Sequence, residues 1–136
     1  MVKRGLWACV VFSLGAALGP AAAQPAASSA QVTPLLTQPL MGVPGKEGVM
    51  LTVEYPPGAE SPPHRHNAST FVYVLEGAVE MQVEGGERVT LEAGQTFYES
   101  PTDIHSVSRN ASDTEPARIL VFLVKEEGAP ITVPVQ

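Results

Sequence analysis

The chain of 136 residues is long enough for one domain and too short for two comfortable ones. Fourteen acidic residues outweigh eight basic ones, and the basic ones are scattered, which excludes a nucleic-acid-binding surface that tracks phosphates. Thirteen prolines and twelve glycines call for many turns joining short strands, an all-β pattern rather than a helical bundle.

Residues 1–23 predict a signal peptide. Lys3 and Arg4 make a positive start, an apolar run follows to Leu18, and Pro20 breaks it. Ala21-Ala22-Ala23 then supplies the small residues that cleavage before Gln24 requires. The run is about fourteen residues, short of the ~20 that a membrane-spanning helix needs. The only cysteine, Cys9, lies inside it, and the apolar run continues past the cysteine, which argues against an acylation box. The mature chain is therefore expected to be cysteine-free, strongly acidic, out of contact with the membrane, and periplasmic or secreted.

From residue 24 the sequence divides into a flexible leader with an edge strand (24–41), a barrel (42–128) and a C-terminal strand or tail (129–136). Pro34 and Pro39 restrict 32–41 to a sheet edge, because proline cannot donate to a ladder. Over 49–55 the residues alternate, with Val49, Leu51, Val53 and Tyr55 on one face, so this is a strand. The run 71–75 is apolar throughout, β-branched or aromatic up to Val74, which predicts a strand covered on both faces. Strands over 79–83 and 88–91 flank Gly85-Gly86, a hairpin signal. The segment 94–110 is built like a strand (96–99), a corner at Ser100-Pro101-Thr102-Asp103, and a return strand (105–108). A strongly apolar strand over 119–124 and a short one over 131–135 complete eight or nine strands, hence a β-sandwich or barrel.

Three histidines stand in this frame, His64, His66 and His105, and the chain has no others. Alternate residues of a strand share a face, so His64 and His66 aim two imidazoles at one point. His105, on the return strand, can add a third. Three neutral imidazoles suit a divalent transition metal, and iron, zinc, manganese, nickel and copper are not distinguished by them. Arg65, between the two ligands, points to the opposite face and trims the rim. Glu99 precedes the corner that carries His105, and is the candidate catalytic carboxylate, as a fourth ligand or a general base. Its bland alternative is a solvated rim glutamate.

The stretch from Gly58 to His66, a glycine, five residues and then His64-Arg65-His66, resembles the opening of the first cupin motif, and Val74-Leu75-Glu76-Gly77 resembles its close. Gly94, Pro101, His105 and Asn110 resemble the second. Together the motifs span about 48–125. The resemblance implies a jelly-roll (double-stranded β-helix) barrel with a metal in its mouth and, commonly, a homodimer. Where the first motif usually places a glutamate ligand, this chain has Thr70, so the family's three-histidine, one-glutamate site is not reproduced by sequence position. The functions that follow are a metal-dependent enzyme on a small molecule, iron-dependent dioxygenation first and isomerase or lyase chemistry behind it, or a binding protein that holds a metal or small ligand without turnover.

Overall fold

The computed structural model describes residues 29–135, so the expected signal segment and Cys9 lie outside the described residues. Eleven strands follow one another: β1 (Gln31–Pro39), β2 (Lys46–Tyr55), β3 (Glu60–Ser61), β4 (His64–Arg65), β5 (Ser69–Glu76), β6 (Ala78–Val83), β7 (Val89–Glu92), β8 (Thr96–Glu99), β9 (His105–Asn110), β10 (Ala117–Glu126) and β11 (Val133–Pro134). No helix occurs among the described residues. The strands form two facing sheets, one in the order β1-β2-β10-β5-β8 and the other in the order β11-β4-β9-β6-β7, with β3 also paired to β9. Every strand pair is antiparallel. The all-β jelly-roll expectation holds, with more strands than expected because β3 and β4 are separate two-residue pieces around Pro62-Pro63.

The core lies between the sheets. Val49, Leu51, Val53 and Tyr55 of β2 are buried as their alternation predicts, and Ile119, Val121 and Leu123 of β10 meet them from the next strand. Val79 and Met81 close the core from the opposite sheet. At Gly77 the chain turns with φ +69°, and a Cβ there would lie 2.5 Å from the Pro116 carbonyl oxygen, so only glycine fits the corner between β5 and β6.

Four expectations need correction. Strand β5 is not covered on both faces: Phe71, Tyr73 and Leu75 are exposed, while Thr70, Val72 and Val74 point inward. A uniformly apolar run has no period, so it cannot show that one of its faces meets solvent. Segment 94–110 is not a hairpin. Strand β8 pairs with β5 in one sheet and β9 with β6 in the other, so the corner at Ser100–Asp103 carries the chain from sheet to sheet. Strands β6 and β7 form the expected hairpin, but of its two glycines only Gly85 has a positive φ, and the connection is a longer loop with its closing bond from Gly86 N–H to the Val83 carbonyl. Strand β2 starts earlier than residue 49, because Glu47 is buried in an ion pair with Lys125 of β10. The edge position of β1 is as expected, with a register slip between Pro34 and Leu36.

Candidate metal centre

The fold brings the three histidines together. His64 and His105 are direct partners in the β4/β9 ladder, which puts both rings on the inner face. His66 follows two residues on, and Asn67 then turns the chain into β5 with φ +51°, a left-handed conformation that asparagine tolerates. One ring nitrogen from each of the three lies within 4.8 Å of the other two. Phe97 of β8 stacks on the His105 ring at 5.9 Å between centroids.

The tautomers of two rings are set by the backbone. His64 Nδ1–H donates to the Pro62 carbonyl at 2.8 Å, and His66 Nδ1–H donates to the Ile131 carbonyl at 2.7 Å. With neutral rings, both Nε2 atoms then carry lone pairs, and they face each other 3.2 Å apart. Burial pushes the His64 imidazole below its ordinary pKa, against the raising effect of the Pro62 carbonyl, so the ring is neutral near pH 7. Two facing acceptors repel unless a cation lies between them. Metal–nitrogen bonds of about 2.0–2.1 Å would hold two such donors about 2.9 to 3.4 Å apart, which the observed separation fits.

Glu99 is buried, not a solvated rim residue. Its Oε2 lies 3.2 Å from His105 Nδ1 and 4.0 Å from His66 Nε2, yet among the described residues neither His105 nitrogen has a hydrogen-bond partner and Glu99 Oε1 has none. A buried carboxylate oxygen without a donor is costly, and a cation is its natural counter-charge. Thr70 pairs directly with Glu99 across the β5/β8 ladder, fully buried, its hydroxyl also without a partner. A carboxylate, absent at position 70, thus stands one ladder step away on the neighbouring strand. Arg65 lies outside the cluster, next to the β11 pairing.

The cluster opens on a cavity of about 590 Å³ between the sheets, walled mostly by apolar side chains. Tyr55, Ser61 and Ser108 add hydroxyls to the same wall. Sequence reasoning missed these three, together with the Pro62 and Ile131 carbonyls that orient the rings. Nothing in the sequence marks the carbonyls, but Tyr55 ends an alternating inward face and was legible as a hydroxyl delivered to the core.

The pattern of the cupin domain family matches residues 51–123. A relative in Aspergillus oryzae, oryzines biosynthesis cluster protein J, is 36% identical over 86 residues, 63% of this chain and 46% of that protein, so the chain spans about half the length of the curated relative it matches. Among solved structures, an uncharacterised conserved protein with a double-stranded β-helix domain from Klebsiella pneumoniae superposes with a TM-score of 0.62 at 21% identity, covering 83% of this chain and 90% of that one. An oxalate oxidase in complex with glycolate superposes with a TM-score of 0.61 at 24% identity, covering 76% and 54%. At these identities the structural likenesses establish the fold.

Proposed function

This chain belongs to the cupin domain family, and on that premise we propose that it is a metal-dependent enzyme acting on a small molecule, dioxygenase-like, with one divalent transition metal on His64, His66 and His105. The observation that carries the reading is the facing pair of Nε2 lone pairs, each fixed by a backbone carbonyl on the far side of its ring. The buried carboxylate of Glu99 beside them, its Oε1 without a hydrogen-bond partner among the described residues, supports it. When bound, the metal supplies Lewis acidity towards a substrate oxygen and a place for dioxygen. Iron(II) is the metal the dioxygenase reading selects; zinc, manganese, nickel and copper accept the same donors.

The protein's own residues divide the remaining work. The Pro62 and Ile131 carbonyls hold two rings in one tautomer, which is how outer partners orient ligands. Glu99 presents Oε2 to the histidine cluster and, among the described residues, is the one carboxylate lining the cavity that could accept a proton. The apolar wall excludes water from the bound molecule. A fold neighbour that is an oxidase seen with glycolate supports small-molecule chemistry in such a barrel.

The alternative is a metal- or ligand-binding protein without turnover, favoured by a cavity that, among the described residues, is lined by one carboxylate and no second one. Oxygen uptake separates the two. Iron(II)-loaded protein given a panel of phenolic and enolisable compounds should consume oxygen, and His105→Ala should not. Compounds that bind with no uptake would overturn the enzyme reading in favour of the alternative. Export through residues 1–23 and the 24–41, 42–128 and 129–136 division are proposed with it. A homodimer is proposed as well, supported by the apolar row Leu36, Met50, Phe122, Phe71 and Tyr98, which runs partner to partner across all five strands of one sheet.

A further inference from the structure

Three hydroxyls meet in the cavity wall beside the histidine cluster. Tyr55 OH lies 2.6 Å from Ser108 Oγ and 3.4 Å from Ser61 Oγ. Each hydroxyl brings one proton, so the group has three, and its two internal contacts use two. One O–H remains to donate, and all three residues line the cavity. The cluster sits one inward row along β9 from the metal centre: Ser61 pairs with Ser108 as His64 pairs with His105, with a register slip between the rows. At about 3.3 Å per residue the two rows are about 7 to 10 Å apart.

The rest of the wall restricts what fits between them. Leu51, Val53, Val72, Met81 and Val121 supply apolar wall. Among the described residues, no lysine or arginine lines the cavity, so nothing at the hydroxyl end could neutralise a charged group. We propose that the cavity takes a small, largely apolar molecule with an oxygen function at each end: one meets the histidine cluster, and the other, an uncharged hydrogen-bond acceptor, is held by Tyr55, Ser61 and Ser108. This substrate class rests on the metal reading above and adds the second anchor to it. A dicarboxylate is disfavoured because its far carboxylate would be buried against hydroxyls with no cation.

Three para-substituted benzoates test the pose on cobalt(II)-loaded protein, because the near carboxylate stays constant while the far group changes. Uptake of cobalt(II), followed by its visible spectrum, reports the metal centre alone. Calorimetric titration then compares para-acetylbenzoate, para-ethylbenzoate and terephthalate. The acetyl compound should bind about threefold to tenfold more tightly than the ethyl compound, the worth of one neutral hydrogen bond. Terephthalate should bind most weakly. Tyr55→Phe and, separately, Ser108→Ala should reduce the acetyl preference towards unity while cobalt(II) uptake stays intact. Equal binding of acetyl and ethyl compounds, tightest binding of terephthalate, no binding of the acetyl compound, or a preference that survives both substitutions overturns the two-anchor pose and leaves the metal centre standing. Protein that takes up no cobalt(II) overturns the metal reading and the pose with it.

Discussion

Replacing Glu99 by glutamine should move the stability of the metal-free protein and its metal affinity in opposite directions. Without metal, Glu99 is buried with Oε1 unpartnered and no hydrogen bond to His105 despite the 3.2 Å approach of Oε2. Leaving a buried neutral polar group unsatisfied costs about 1–3 kcal/mol, and a charged one costs more. Glu99→Gln keeps the size and removes the charge, so the metal-free protein should gain about 1 kcal/mol or more. At a few degrees per kcal/mol for a domain of this size, that raises Tm by about 4–8 °C. The metal-loaded protein loses the carboxylate as counter-charge, and affinity should fall at least about 10- to 100-fold, equivalent to about 1.4 to 2.7 kcal/mol. Urea unfolding of metal-free protein and competition titration with a chelator measure the two halves. A metal-free protein destabilised by more than about 1 kcal/mol, with metal affinity unchanged, would show that Glu99 is a structural residue and refute the reasoning.

Other expectations follow from particular contacts. Asn110 Nδ2 donates to the carbonyls of Tyr55, Pro56 and Glu115, and its Oδ1 accepts from Ser112 N–H, all at 2.8–3.1 Å. Asn110→Ala orphans these groups and should cost about 3–5 kcal/mol in urea unfolding; a loss below about 1 kcal/mol would contradict it. The Glu47 carboxyl is held below its ordinary value of 4.5 first by its hydrogen bond from Lys125, and Glu80 by that from Arg109. A carboxyl lowered by folding contributes stability above its unfolded pKa and loses it as pH falls through the folded value, so stability should drop from about pH 4.5 downward. Lys125→Met should lower stability at neutral pH and flatten this acid limb; an unchanged limb would remove Glu47 as its source. Phe71→Arg should convert a dimer to monomers in sedimentation, and a wild-type monomer would end the homodimer proposal. Amino-terminal sequencing of exported protein should begin at Gln24, and retention of residues 1–23 in the mature chain would contradict the signal reading.

Much of the fold was legible because two-residue alternation is a direct imprint of a half-buried strand. Strand β2 showed its inward face as Val49, Leu51, Val53 and Tyr55, and the structure buries those four. The uniformly apolar β5 concealed its exposed face, since no alternation separates Phe71 and Tyr73 from Val72 and Val74. The histidine cluster was legible because chain spacing places His64 and His66 together, and the second motif brings in His105. What the sequence could not show depends on pairing between strands. Thr70 and Glu99 are 29 positions apart in the chain and neighbours in the ladder, so the displaced carboxylate appears only in the register. The Ile131 carbonyl reaches His66 because β11 pairs with β4, and a backbone oxygen leaves no mark on sequence. The hydroxyl cluster likewise joins Ser61 of β3 and Ser108 of β9, ladder partners, to Tyr55 of β2 in the opposite sheet.

The most direct measurement is the metal content of the purified chain, by elemental analysis after expression with each candidate metal supplied. The wild-type protein should hold about one divalent ion per chain, and His64→Ala, His66→Ala and His105→Ala should each lose it while keeping the β-rich circular dichroism of the parent. Wild-type protein that binds no ion under any supply, or His variants that keep a full complement, would contradict the central claim that these three rings form one metal centre.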